Sequence, residues 1–153
     1  MSDRLAAQVR LAFEQLEQLL GTYRPLIERC RSAGPDAVEL AALAAMLHSF
    51  YNGVENLLKR VAVENNEELP QGDTWHRQLL EQMASITKAR SRVIDSELRD
   101  RLHLYLAFRH VFRHSYTFDL RWDKMQELAL HCDETLASLQ QSLERFLADT
   151  DPG

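Results

Sequence analysis

Apolar residues recur every three or four positions along most of this chain, which is the spacing of one face of an α-helix. The first such stripe contains Pro25, a residue that can kink or end a helix. A glycine, a proline and an aspartate interrupt the pattern at 34–36 and make a favourable start for a second helix. The polar stretch 64–73 carries a proline and a glycine, so it predicts a loop. The two stripes that precede this loop comprise Leu5, Val9, Ala12, Leu16, Leu19, Tyr23 and Leu26, and then Leu40, Leu43, Leu47, Phe50, Val54, Leu57 and Val61.

Beyond the loop, the pattern predicts a short helix over 74–85 and two long helices over 95–114 and 122–148. No stretch shows the two-residue alternation of a strand, and five glycines and four prolines leave little room for the turns of a sheet. We therefore expect an all-α fold, an antiparallel bundle of four long helices plus a short fifth helix. With 153 residues, the chain should form a single domain over 1–153.

The sequence lacks the patterns of membrane-spanning segments, secretory signals and cysteine motifs, which bears on where the protein is located. No apolar run approaches the roughly 18 residues of a membrane span, and the first residues have no secretory signal pattern. Cys30 and Cys132 lie far apart without the spacing of a metal or redox motif, which favours free thiols over a disulfide. We expect a cytoplasmic protein that does not contact a membrane.

Charge is unevenly distributed along the chain. The net charge of −5 argues against nucleic acid as a partner when it is taken alone. The segment 88–121, however, holds eight lysines and arginines against four acidic residues, and three of the six histidines fall within it. Such a segment is a weak signal for an anionic ligand, and it gains weight from the residues that lie inside it.

The stretch 109–116 within this basic segment combines residue types that handle phosphate groups. Arg109 supplies a permanent cation whose planar fork matches phosphate oxygens. His114 supplies the side chain that exchanges a proton most readily near pH 7. Tyr116 supplies a hydroxyl that can donate a hydrogen bond or accept a transferred group. We take Arg109 and His114 as candidate catalytic residues and Tyr116 as a candidate modification site.

Arg109 interrupts an apolar stripe, where a charge is costly unless a partner satisfies it. Such departures from the local pattern are common at functional sites. A purely structural explanation is an ion pair with a core carboxylate such as Glu55. On an ideal helix His114 lies roughly 140° around the axis from Arg109. The two side chains can then share a site only if the helix ends or distorts near Arg113, or if a second chain contributes. The stripe comprises Leu98, Leu102, Tyr105, Arg109, Phe112 and Tyr116.

Four more residues are candidates for supporting roles. Glu55 and Tyr51 are one turn apart on the second predicted helix and could orient Arg109. An equally good interpretation makes Glu55 a solvated glutamate at the edge of the stripe. His110 and Arg113 add a hydrogen-bonding imidazole and a second fixed cation beside the candidate catalytic residues.

Other chemistries are less well supported by the residues. His110 and His114 are four positions apart and His103 is seven before His110, which could suggest zinc, but carboxylates at ligand spacing are missing. His76 is better explained as a packed surface histidine than as a catalyst. The sequence has no glycine-rich phosphate loop. We expect neither a metal nor a cofactor.

The order arginine, four residues, histidine, one residue, tyrosine resembles the signature of the HEPN superfamily. In its tyrosine-containing form it resembles the HepT toxins of prokaryotic toxin–antitoxin modules. The similarity extends from about residue 40 to residue 122, because other segments also look HepT-like. These segments are Tyr51-Asn52-Gly53-Val54-Glu55-Asn56, Leu69-Pro70 followed by Trp75-His76, and Phe108-Arg109-His110.

The resemblance implies a HEPN-like bundle and a metal-independent endoribonuclease that acts as a homodimer, with both copies of the motif lining one cleft. It also implies a partner, the minimal nucleotidyltransferase antitoxin of a type VII-like module, which transfers AMP to the motif tyrosine. Arg109 and His114 match the family's catalytic pair, and Tyr116 matches the modified tyrosine. His110 departs from the asparagine that many HepT proteins have directly after the arginine.

Chemistry of this kind would be transesterification at an RNA phosphodiester. His114 could act as general base or general acid, and Arg109 from either chain could neutralise the phosphorane oxygens. The 2′-hydroxyl, which DNA lacks, would be the nucleophile. The alternative is a non-catalytic HEPN module that binds a nucleotidyltransferase or a nucleotide and uses the same residues only for recognition.

Overall fold

The described residues of the computed structural model are 2–114 and 119–150, and they form six α-helices. The all-α expectation is confirmed, since no strand occurs in these two ranges. Four of the helices are long, and the predicted loop separates the second helix from the short third one. The helices are α1 (Ser2–Cys30), α2 (Ala37–Glu64), α3 (Trp75–Met83), α4 (Ser96–His114), α5 (Trp122–Leu130) and α6 (Cys132–Thr150).

The ends of the helices follow from local sequence, with one exception at Pro25. Asp36 caps α2 by accepting a hydrogen bond from the backbone N–H of Glu39, whose side chain accepts from the backbone N–H of Asp36 in return. Pro25 does not end α1, which continues for five more residues to Cys30. Two residues beyond the proline, Ile27 and Cys30, are buried in the core, and their packing holds the last turn in place.

The predicted helix over 122–148 is divided at His131, which has a non-helical backbone conformation. The division has a long-range cause. The hydroxyl of Tyr105 donates to the carbonyl of Leu128 at 2.8 Å, and the guanidinium of Arg31 donates to the carbonyl of Leu130 at 3.0 Å. These donors satisfy carbonyl groups at the end of α5, so the backbone can turn there without leaving them unpaired.

Helices α1 and α2 run antiparallel, because residues from opposite ends of the two helices form ion pairs. Arg4 near the start of α1 pairs with Glu64 at the end of α2, and Arg29 near the end of α1 pairs with Glu39 near the start of α2. Between these pairs the helices approach closely at Gly53, where a Cβ atom would lie 2.7 Å from a methyl carbon of Leu16. The glycine lets α1 cover one side of α2.

Another side of α2 faces α4, and this contact positions the candidate site. The rings of Phe50 and Tyr105 lie 5.3 Å apart between the two helices. Further along, His48 contacts Phe112 while Asn52 contacts Arg109, so the numbering rises along α2 as it falls along α4. This pair is therefore antiparallel too. No helix within the described ranges is long and apolar enough to cross a membrane.

The segment that joins α3 to α4 is held by Arg90, whose side chain is fully buried. Its guanidinium donates to both carboxylate oxygens of Glu67 and to the carbonyl oxygens of Gln82, Ser85 and Ser91. Although burial alone would raise the pKa of Glu67, the hydrogen bonds from Arg90 and Gln82 lower it overall. The buried ion pair joins the loop after α2 to the loop before α4, and so fixes where α4 begins.

Candidate functional site

Arg109 lies on the side of α4 that faces α2, and its side chain is half-buried there. The guanidinium Nε donates a hydrogen bond of 2.8 Å to the side-chain oxygen of Asn52. Among the described residues, its two terminal nitrogens have no hydrogen-bond partner. The arginine is therefore held at one edge and presents the opposite pair of N–H donors, which is the geometry that grips a phosphate.

Asn52 is itself held from the other side by His48. The amide nitrogen of Asn52 lies 3.1 Å from Nε2 of His48, one turn earlier on α2. Partial burial lowers the pKa of His48, and the positive charges of Arg109 and Arg113 lower it further. A neutral His48 at pH 7 can accept this hydrogen bond, so His48, Asn52 and Arg109 form a continuous chain of hydrogen bonds from α2 to α4.

Glu55 does not hold Arg109. Its carboxylate is only 4% exposed, and it accepts a 2.6 Å hydrogen bond from Nδ1 of His76 at the start of α3. The interpretation of Glu55 as a solvated glutamate is therefore wrong. The partner of Arg109 is Asn52, because Glu55 lies almost a turn further along α2 and meets α3 instead.

Tyr51 is completely buried, and its hydroxyl has no hydrogen-bond partner among the described residues. Burial raises the pKa of Tyr51 well above its usual value, the charge of Glu55 adds to the rise, and the charge of Arg109 opposes it. The hydroxyl therefore stays protonated and lies within the electrostatic reach of both an anion and the candidate catalytic cation.

The other residues of the motif lie on the solvent side of α4. His110, Arg113 and His114 are all exposed, and the rings of the two histidines are 4.5 Å apart. Helix α4 continues without a break from Arg109 to His114, so the two residues lie roughly 140° apart around its axis. The helix is not distorted between them, so within one chain the two side chains leave α4 in different directions. Tyr116 lies outside the described residues.

Three residues near this site were not identified from the sequence as parts of it: His48, Asn52 and His76. The sequence of α2 contains a signal for two of them, His48 and Asn52. A second stripe on α2, one position after the main apolar stripe, is also buried along much of its length. It contains Ala44, His48, Tyr51, Glu55, Leu58 and Ala62, so three of its six residues are polar or ionisable. Asn52 lies beside this stripe. His76 could not be found in this way, because its partner comes from another helix.

The histidines that suggested zinc are dispersed. Nε2 of His103 lies 3.1 Å from a carboxylate oxygen of Glu81 on α3, away from His110 and His114. Across residues 2–114 and 119–150, no group of three or more histidines, cysteines and acidic residues is placed to hold a metal ion.

Comparison with family models matches residues 42–150 to the model described as HepT-like protein. The match covers more than half of the chain and includes most of α2, all of α4 and the motif between Arg109 and Tyr116. No curated protein matches the chain, and no solved structure does.

Proposed function

Since this chain belongs to the HepT-like family, we propose that it is the toxin of a prokaryotic toxin–antitoxin module and cleaves RNA in the cytoplasm as a metal-independent endoribonuclease. The observation that carries the proposal is the state of Arg109. A half-buried arginine that is held at Nε, with both terminal nitrogens unpaired among the described residues, is prepared to bind a phosphate.

The reaction is transesterification. A base removes the proton from the 2′-hydroxyl, the 2′-oxygen attacks the adjacent phosphorus, and the bond to the 5′-oxygen breaks as that oxygen takes up a proton. The products are a 2′,3′-cyclic phosphate and a 5′-hydroxyl. His114 transfers one of these protons, since its imidazole is exposed and histidine is the most common general acid or base. Arg109 stabilises the charge that accumulates on the non-bridging oxygens, and Arg113 and His110 contact neighbouring phosphates.

A homodimer would complete the site. The solvent side of α4 that carries His114 also carries exposed apolar residues, with Leu104 58% and Val111 50% exposed. Leu104, Ala107 and Val111 recur at helical spacing and lie on the far side of α4 from Arg109. A second copy that packs on this stripe about a two-fold axis would cover these apolar surfaces.

The antitoxin would act on Tyr116. A minimal nucleotidyltransferase would transfer AMP from ATP to the tyrosine hydroxyl and release pyrophosphate. The added phosphate would pair with Arg109 or Arg113 through charge-assisted hydrogen bonds and compete with RNA.

The test is induced expression in bacteria with and without such a nucleotidyltransferase, scoring growth, RNA integrity and the intact mass of the protein. Without the partner, we expect growth arrest and RNA breakdown. With the partner, we expect full growth, and the protein should carry one or more adenylyl groups at Tyr116. Bacteria that express the Arg109→Ala variant should grow normally with or without the partner. Intact RNA in arrested cells would favour the non-catalytic alternative, and an unmodified Tyr116 in the inhibited protein would mean that the partner acts by binding alone.

A further inference from the structure

The hydrogen bonds between His48, Asn52 and Arg109 have only one consistent direction. The Nε of an arginine is always a donor, so the atom of Asn52 that faces it must be the amide oxygen. The amide nitrogen of Asn52 must then face His48, where it donates to Nε2. Nε2 of His48 must therefore carry no proton, and the proton of the neutral ring is on Nδ1.

Protonation of His48 is incompatible with this arrangement. A charged imidazole carries a proton on both nitrogens, so Nε2 would point one donor at another donor on Asn52. If the amide of Asn52 turned over to offer its oxygen to His48, its nitrogen would point at the Nε of Arg109. In the first case the bond from Asn52 to His48 is lost, and in the second the bond from Arg109 to Asn52 is lost. The second is favoured because it gives the partly buried, charged imidazole an acceptor, and Arg109 is then no longer held at its inner edge.

The groups that surround His48 favour its neutral form. The charged groups that act on it in the described part of the chain are Arg109 and Arg113, both from α4. The ring of Phe112, also from α4, packs at 5.1 Å. On its own helix the polar contact of His48 is Asn52, and its Nδ1 is buried without a partner in the described ranges. Since both cations oppose a further positive charge, the neutral ring is the resting form.

We propose that Asn52 and His48 are positioning residues for Arg109, and that protonation of His48 releases the arginine and switches the phosphate site off in acid. The inference rests on the proposed function insofar as Arg109 binds RNA phosphate. Its structural part concerns only the hydrogen bonds within this chain, so it can be tested without RNA.

The decisive experiment is an NMR titration of the 15N-labelled protein. It follows the two ring nitrogens of His48 and the hydrogen exchange of the Arg109 Nε–H, corrected for the intrinsic effect of pH on exchange. At neutral pH we expect the proton of His48 on Nδ1 and a protected Nε–H. On acidification, His48 should gain its second proton and the Nε–H should exchange at least about tenfold faster, with the same midpoint. Protection of Arg109 that does not change as His48 titrates would overturn the proposal, and this result needs no variant.

Three variants separate the residues. In Asn52→Leu the Nε–H of Arg109 should be unprotected at every pH. In His48→Gln the side-chain oxygen of the new residue accepts from Asn52 whatever the pH, so protection should persist in acid. The matched control is Asn56→Leu, an exposed asparagine one turn further along α2, which should behave like wild type. Full protection in Asn52→Leu would refute the role of Asn52.

A cleavage assay on the same proteins distinguishes this inference from the proposed function. Asn52→Leu should cleave RNA about 10- to 100-fold more slowly, because a misplaced catalytic group costs about that much. His48→Gln should lose the part of the acid decline of the rate that coincides with the titration of His48. If the wild-type protein shows the coupled titration but cleaves no RNA, the proposed function fails and the positioning chain stands. If it cleaves RNA through Arg109 while Asn52→Leu cleaves at the wild-type rate, the positioning chain fails alone.

Discussion

Two buried tyrosines, Tyr51 and Tyr105, should respond in opposite ways when their hydroxyl is removed. Tyr51 is 0% exposed and Tyr105 is 2% exposed, so the two sites differ little in burial. They differ in hydrogen bonding. The hydroxyl of Tyr105 donates to the carbonyl of Leu128 and contacts Thr135, whereas that of Tyr51 has no partner in the described ranges. A phenylalanine keeps the ring and its packing in both cases.

The magnitudes follow from these contacts. A buried polar group without a partner costs about 1–3 kcal/mol, so Tyr51→Phe should raise the free energy of unfolding by about 1 kcal/mol. Tyr105→Phe leaves the carbonyl of Leu128 unpaired at the end of α5, so it should lower the free energy of unfolding by about 1–3 kcal/mol.

Urea unfolding followed by far-ultraviolet circular dichroism measures both values. With a slope of about 1.5 kcal/mol per molar urea, the midpoint should rise by about 0.7 M in Tyr51→Phe and fall by about 0.7–2 M in Tyr105→Phe. A loss of about 1 kcal/mol or more in Tyr51→Phe would refute the reasoning. It would mean that the hydroxyl has a partner, and that the polar arrangement between Glu55 and Arg109 differs from the one described.

Two further predictions concern the buried ion pair and the surface of α4. Arg90→Ala removes the cation that pairs with the half-buried carboxylate of Glu67 and the donor of three carbonyl oxygens, and should lower the free energy of unfolding by about 3–5 kcal/mol. Lys88→Ala in the same segment should change it by less than about 0.5 kcal/mol. Thermal and urea unfolding check both. Because the pKa of Glu67 is lowered in the folded protein, the stability that the pair contributes is complete above pH about 4.3 and declines as the pH falls through the lowered pKa, a decline that Arg90→Ala should remove. Leu104→Glu should convert the proposed dimer to a monomer, as measured by size-exclusion chromatography with light scattering. The control Val38→Glu, on an exposed part of α2, should leave the mass unchanged. A Leu104→Glu protein that stays dimeric would place the interface elsewhere.

Much of the fold was predictable because it depends on local spacing. The apolar stripes identified the helices, and the capping box at Asp36 and Glu39 is readable from the sequence alone. The division at His131 was not predictable, since it depends on donors from Tyr105 and Arg31, which are distant in sequence. Pro25 was ambiguous for a similar reason, because the packing of the residues beyond it decides whether the helix continues.

The candidate site divides in the same way. Arg109 was visible because a charge interrupts an apolar stripe, but its partner was not. Asn52 and Glu55 are three residues apart on α2, and only the register between α2 and α4 decides which of them meets the arginine. That register is set by contacts such as the ring pair of Phe50 and Tyr105. The position of Glu55 was settled by His76, which a different helix supplies.

The most direct test of the proposed activity is the rate at which the purified protein cleaves RNA in excess EDTA, measured for wild type, Arg109→Ala and His114→Ala. We predict that wild type cleaves and leaves 2′,3′-cyclic phosphate ends, and that each variant is slower by at least about 100-fold with its helix content unchanged. Because the two residues would act across a dimer, a mixture of the two variants should recover part of the activity. Cleavage by His114→Ala at the wild-type rate would contradict the mechanism, and loss of wild-type cleavage in EDTA would show that a metal ion does the chemistry instead.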